Sequence, residues 1–283
     1  MKRNVIRRKP VEPKSGADND SDTRDGGVQS VDRALSIIEV LAEDDEGYRL
    51  TDLAVRTGLS TSTVHRLLAT LEKRRFVQFD RTESKWHVGA QSFAVGATFT
   101  RRRNFTAQAM PYLRKLRDLT RETANLAVVD DESIIVLTRM ESREIMRSLT
   151  KVGGRVAMVA SGVGKAVLAT YSDADVNAII CRQGMPRLTE KSIVRPGELF
   201  RELEVIRRQG YAVDDEEARM GLRCVAAVVY SDCSEPLAAI SVSGMTTRVT
   251  EERVPELGKI VRDVAAELTV ALGGVMPGAK PLT

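Results

Sequence analysis

From residue 30 onward apolar residues recur at helical spacing, and the polar residues between them mark where each helix begins and ends. Val31, Ala34, Leu35, Ile38 and Leu41 lie on one face of a first helix, capped by Ser30 and ended by Asp44 to Gly47. Thr51 is placed to cap a second helix, with Asp52 in its first turn where the helix dipole favours an anion. This helix begins with Leu53, Ala54 and Val55 and runs only to Thr57. Gly58 takes the left-handed position that closes it, and Leu59 supplies the apolar contact that follows. Ser60 caps a third helix, in which Val64, Leu67, Leu68 and Leu71 form a single buried stripe. Its other face carries Thr61, Ser62, His65, Arg66, Ala69, Thr70 and Lys73. The period then falls from 3.6 to 2. Phe76 to Phe79 alternates, Asp80 to Lys85 is a polar tip, and Trp86-His87-Val88 returns, which predicts a β-hairpin.

Downstream, Gln91 to Thr100 is helical, with Phe93, Ala94, Ala97 and Val95 apolar, and Arg101-Arg102-Arg103 follows. Such a helix has too little core of its own and reads as an interdomain linker packed on a partner subunit. The three arginines also fit a plain solvated charge run. Met110 to Thr120 is helical. Asn125 to Val129 and Ile134 to Leu137 form a strand pair, and Ile145 to Lys151 a third strand. Helices are expected near 162–171, 173–182 and 197–209, strands near 211–214, 224–230 and 236–243, and a closing helix at 250–272. Helices and strands mix without strict alternation, so the fold class is α+β on a largely antiparallel sheet. The expected division is a tail at 1–27, a DNA-binding domain at 28–90, a linker at 91–103, an effector and oligomerisation domain at 104–274, and a tail at 275–283.

Charge sharpens this division. The formal net charge is only +4, yet residues 48–103 hold 11 Lys and Arg against 4 Asp and Glu. Residues 104–283 hold 24 of each. A basic excess confined to the front of the chain is what a polyanionic partner requires. Residues 1–27 are basic, then rich in Asp, Ser and Gly, and read as disordered. Arg7-Arg8-Lys9 fits either an arm along DNA or a solubilising tail. Cys181, Cys224 and Cys233 form no CxxC motif or paired framework, which fits a reducing cytoplasm. No apolar run approaches the roughly 20 residues of a membrane span, and the basic start has no apolar core after it as a signal peptide would.

Two helices, a tight turn and a hairpin make a winged helix-turn-helix. The third helix would enter the major groove of double-stranded DNA with its N-terminal residues nearest the base edges. Thr51, Ser60, Thr61, Ser62, Thr63, His65 and Arg66 are the DNA-binding candidates, and Lys73, Arg74 and Arg75 suit phosphates. An ordinary helical hairpin with a solvated polar face would carry the same local pattern, and the hairpin behind it tips the balance.

Three features of the second domain read as more than packing. Ser161-Gly162-Val163-Gly164-Lys165 opens a helix, where glycines let an anion reach free N–H groups. It is not a P-loop, because Val159 stands where the first Gly belongs and Ala166 replaces Ser or Thr. Asp214-Asp215-Glu216-Glu217 precedes Gly221-Leu222-Arg223-Cys224, and Ser241 and Ser243 share one side of a strand. A tight turn, a solvated acidic loop and a solvated sheet face would look the same. The only histidines, His65 and His87, lie in the front half, so the second domain has no His for a Cys–His or Ser–His dyad or for a metal. A binding module therefore fits better than an enzyme acting on a small oxo acid, and no metal or cofactor is expected.

GVQSVDRALSIIEVLAE, LTDLAVRTGLSTSTVHRLLATLEKRRFV, ASGVGKAVLA, GYAVDDEEARMGLRCVAA and PLAAISVSG together resemble the IclR family of bacterial transcriptional regulators. The resemblance covers about residues 28–274. KWHVGAQSFAVG followed by RRRNF is most similar to the branch of acetate operon (glyoxylate bypass) repressors. It implies a winged helix-turn-helix, a linker helix, a GAF-like effector domain, and homodimers or tetramers on palindromic operators. By the same resemblance, a small 2-oxo acid effector, glyoxylate first and pyruvate or another short carboxylic acid behind it, sits on the N–H groups of Gly162 and Val163. Asp214, Cys224, Ser241 and Ser243 complete its polar shell, and Ile145, Ser148, Val156 and Leu222 form an apolar wall. Two positions depart from the glyoxylate-binding pattern: Val163 stands for Ala and Ser148 for Met. The first keeps its backbone donor, and the second alters the wall.

Overall fold

The computed structural model describes residues 28–103, 105–130, 133–142 and 151–277. Contacts divide the chain after Gln91 into two units. The first contains α1 (Gln29–Ala42), α2 (Leu50–Thr57), α3 (Thr61–Lys73) and the hairpin of β1 (Val77–Asp80) and β2 (Lys85–Val88). Ile37, Leu41, Leu53, Val64, Leu68, Val77 and Trp86 make its core. Gly58 closes α2 at φ 67°, and the Ser60 hydroxyl accepts the Thr63 N–H at 3.3 Å at the start of α3, both as expected. Trp86 pairs with Phe79 across the hairpin, ring centroids 4.9 Å apart, and bridges to Tyr48 as well.

Three expectations need correction here. Helix α1 starts one residue before Ser30, from Val28, which has no side chain able to cap. Its buried stripe runs through Ile37 and Leu41, while Val31 and Leu35 are exposed, so two of the five expected core positions face outward. Thr51 lies inside α2 rather than at its cap. The N-cap is Arg49, whose backbone N–H donates to the Asp52 carboxylate at 3.3 Å.

Helix α4 (Ala90–Arg103) spans the division and includes the three arginines. The second unit is a six-stranded antiparallel sheet in the order β5-β4-β3-β8-β7-β6. Its strands are β3 (Thr123–Asp130), β4 (Ser133–Met140), β5 (Arg155–Val156), β6 (Ala212–Asp215), β7 (Leu222–Tyr230) and β8 (Pro236–Met245). The third strand expected at 145–151 falls mostly outside the described residues, and the structure places a two-residue β5 just after it. Helices α5 (Phe105–Thr120) and α9 (Val254–Ala271) cover one sheet face. The other carries α6 (Gly162–Leu168), α7 (Asp173–Gln183) and α8 (Pro196–Gln209). The closing helix begins as a 3₁₀ turn at Glu251–Arg253.

Strand alternation sorts the residues between these layers. Leu126, Val128, Val225, Ala227, Ile240 and Val242 point to α5 and α9. Ala127, Ala226, Val228 and Ala239 point to α6 and its neighbours. Odd positions of β3 and β8 and even positions of β6 and β7 therefore share the α6 side. This puts Asn125, Asp214, Cys224, Ser241 and Ser243 in one layer.

Candidate functional site

In the first unit α3 presents a continuous polar face. Ser60, Thr61, Ser62, His65, Arg66, Thr70, Lys73, Arg74 and Arg75 are all exposed. Val64 and Leu68 hold the opposite side in the core. Among the described residues Arg66, Lys73, Arg74 and Arg75 make no ion pair, so four cationic groups remain for an anionic partner. Thr63 is half-buried, and its hydroxyl lies 2.9 Å from that of Ser60, which ties it to the cap. Thr51 is exposed in the first turn of α2. Arg75 adopts φ 61° where α3 turns into the wing, a left-handed position held here by a residue other than glycine. Small hydroxyls at the helix start and arginines at its end fit a duplex groove better than a packed partner.

The second site forms where α6 meets the sheet. Ser161 caps α6, accepting the Gly164 N–H at 3.1 Å and donating to Ala157 O at 2.6 Å. The N–H groups of Gly162 and Val163 have no partner among the described residues. A Cβ on Gly162 would stand 3.3 Å from Cys224 O and 3.4 Å from Asp214 N, so the helix start lies directly against β6 and β7. Gly164 admits no side chain, because a Cβ there would collide with the Met158 backbone. Register places Asp214 beside Cys224, Cys224 beside Ser243, and Ser241 beside Asn125. The Asn125 amide donates to Ser243 Oγ at 3.1 Å and Ser241 Oγ at 3.3 Å, while its own carbonyl oxygen is buried with no partner.

Of the seven groups at this point, the sequence reading names Gly162, Val163, Asp214, Cys224, Ser241 and Ser243 and omits Asn125. Its signal was there: an amide inside an otherwise apolar strand is costly unless something bonds it. Val163 is buried at the same helix start. Of the wall residues, Val156 is half-buried on β5 and Leu222 half-buried at the head of β7. Ile145 and Ser148 lie outside the described residues.

Electrostatics at the floor are dominated by burial. Desolvation raises the Asp214 carboxyl above its ordinary range against two N–H donors, Glu217 at 2.8 Å and Ala218 at 3.2 Å. Burial also pushes the Cys224 thiol up to about 11, so it is no thiolate near neutrality. Behind the site Lys165 is wholly buried, its ammonium on Glu217 and 3.4 Å from Glu202. The segment fails the phosphate-loop pattern in sequence, and in the structure its lysine is an internal counter-charge. Among the described residues no cluster could hold a metal ion, and no helix is long and apolar enough to cross a membrane.

A cleft of about 740 Å³ lies elsewhere in this unit, among Tyr171, Arg207, Tyr211, Tyr230 and Arg262. It gathers no unpartnered buried polar atom, unlike the Asn125 floor. The α6 site therefore has the better claim to a ligand.

Comparison with known proteins agrees with both halves. Residues 30–81 match the IclR helix-turn-helix domain, and residues 97–270 the bacterial transcriptional regulator IclR C-terminal domain. The acetate operon repressor of Salmonella typhimurium is 42% identical over 88% of this chain and 92% of that protein. The transcriptional repressor IclR of Escherichia coli K12 is 40% identical with the same coverage. An IclR transcriptional regulator from Alicyclobacillus acidocaldarius superposes with a TM-score of 0.75 at 25% identity, covering 87% of this chain and all of that one.

Proposed function

Since the chain belongs to the IclR family of bacterial transcriptional regulators, which are not enzymes, we propose that it senses glyoxylate and thereby controls genes of two-carbon metabolism. The observation that carries the ligand reading is the buried polar floor. Asn125, Ser241, Ser243, Cys224 and Asp214 converge below two unpartnered N–H groups at Gly162 and Val163. Two backbone donors suit a carboxylate. Hydroxyls and an amide within reach suit the aldehyde or hydrate oxygens of a short oxo acid. The kinship with acetate operon repressors supports glyoxylate over pyruvate, whose extra methyl group would have to fit against Val163.

On this reading the protein acts in the cytoplasm as a homodimer or tetramer on a palindromic operator. Each α3 reads one half-site through Thr61, Ser62, His65 and Arg66, with Thr51 and Ser60 beside them. Lys73, Arg74 and Arg75 hold phosphates. The effector works by binding one quaternary arrangement better than another, since equal affinity for both shifts nothing. Helix α4 is the lever that carries the change between domains.

A thermal-shift and calorimetric screen of short 2-oxo and 2-hydroxy acids tests the ligand. Glyoxylate should stabilise the protein most, pyruvate next, and Ser241→Ala should abolish both shifts. If Ser241→Ala responds as the wild type does, the pocket is misplaced. If no oxo acid shifts the wild type, the metabolite is of another class.

A further inference from the structure

We propose that Asp214 takes up one proton for each carboxylate bound at the α6 site, so that effector binding is proton-linked. The inference rests on the pocket reading above and adds its charge balance. Asp214 is 3% exposed and belongs to no ion pair among the described residues. Its Oδ1 accepts the Glu217 and Ala218 N–H groups. The cation whose field reaches it, Lys165, is committed to Glu217 and Glu202.

The titratable groups facing Asp214 come from every neighbouring element. They are Lys165 on α6, Asp215 and Glu217 around the end of β6, and Cys224 on β7, with Glu202 on α8 one step behind, against Lys165 and Glu217. Asp215 is neutralised locally by Arg223 and Lys191. Asn125, Ser241 and Ser243 carry no charge. What remains is one buried ammonium against the carboxylates of Asp214, Glu202 and Glu217. A ligand carboxylate on Gly162 and Val163 adds another negative charge beside Asp214 N, at a buried position where charges interact strongly.

Carboxylates sharing such a site do not all remain ionised; one takes a proton. Glu217 meets the lysine directly, which opposes the burial that raises its carboxyl too, whereas Asp214 has no ion-pair partner among the described residues. Asp214 is already held above its ordinary range by burial. The proton leaves a buffer acid, forms an O–H bond at Asp214 Oδ2, and returns to solvent when the ligand departs. Protonated, Asp214 still accepts its two N–H bonds through Oδ1 and gains a donor toward the ligand. Ionised, it has none to offer.

Calorimetry of the full chain with glyoxylate at pH 7, in phosphate and in Tris, counts the protons from the difference in heats. The expected count is close to one, with Kd rising about tenfold per pH unit once Asp214 is ionised in the free protein. Asp214→Asn carries an amide where the protonated acid would be. Its proton count should be zero, its Kd flat with pH, and its binding at pH 8 tighter than that of the wild type. Glu217→Gln should still take up the proton. Glyoxylate binding with no buffer-dependent heat, or uptake that survives in Asp214→Asn, overturns the inference and leaves the pocket standing. No glyoxylate or pyruvate heat at any pH overturns the pocket and the inference with it. The wild-type count decides the matter even if the Asn variant fails to fold.

Discussion

Arg66 projects from the exposed face of α3 with no ion-pair partner among the described residues, so its whole guanidinium is free for a base edge or a phosphate. Arg66→Ala should weaken operator binding by about 1–3 kcal/mol if the side chain reads a base, as measured by titration of labelled operator at fixed salt. Unchanged affinity would remove it from the interface. Cys224 offers a second check at this scale. It is buried with its thiol near pH 11, whereas Cys181 and Cys233 are exposed. Iodoacetamide at pH 8 should label Cys181 and Cys233 and spare Cys224 until the protein unfolds, read by mass spectrometry. Labelling of Cys224 in the native protein would mean an open or mobile floor. At this scale the sequence was informative where spacing alone decides a direction. Ser241 and Ser243 are two apart and had to share a face. The Asn125 amide stands out in an apolar strand, but its partners depend on β3 lying beside β8, a pairing across 116 residues that no local pattern encodes. The ion pairs of Lys165 were illegible for the same reason: its partners Glu202 and Glu217 come from α8 and the acidic segment after β6.

Elements were legible to the extent that their ends are written locally. Gly58 and Ser60 closed α2 and opened α3 as read, because a left-handed glycine and a capping hydroxyl act on the next few residues alone. Ser60→Ala removes that cap and should cost about 1 kcal/mol, seen as a lower midpoint of urea unfolding. Helix α1 was less legible. Its stripe has two readings, and tertiary packing chose Ile37 and Leu41 over Val31 and Leu35, leaving Val28, Val31 and Leu35 exposed. Helix α6 and the acidic segment after β6 are tied together by the Lys165–Glu217 pair, which is buried on both sides. Removing one partner of such a pair strands the other charge, whereas removing both does not. Lys165→Met should therefore destabilise the protein by about 3–5 kcal/mol, with much of that recovered in Lys165→Met/Glu217→Gln. Equal stability of the single and double variants would show that Glu202 or solvent, rather than Glu217, balances the lysine.

Among the described residues Arg66, Lys73, Arg74 and Arg75 stand without ion-pair partners on the first unit, while Asp214, Cys224 and Ser241 are buried on the α6 side of the second unit's sheet. If Lys73, Arg74 and Arg75 contact phosphates as proposed, counterions are released on binding, and operator affinity should fall steeply and linearly in log–log form with salt. A flat response would contradict the assigned face. If glyoxylate alters operator affinity by some factor, linkage requires operator DNA to alter glyoxylate affinity by the same factor, because the two ligands share one set of conformational states. Calorimetric titration of glyoxylate into the free protein and into the operator complex measures this directly. Equality of the two factors is required of any equilibrium coupling, but its size is not. A factor of one would mean that the ligand binds both arrangements alike and sends nothing to the wing. Asp214→Ala should reduce the factor to one by removing the ligand. A substitution in α4 that leaves glyoxylate binding intact should reduce it without touching either site, which separates the lever from the pocket.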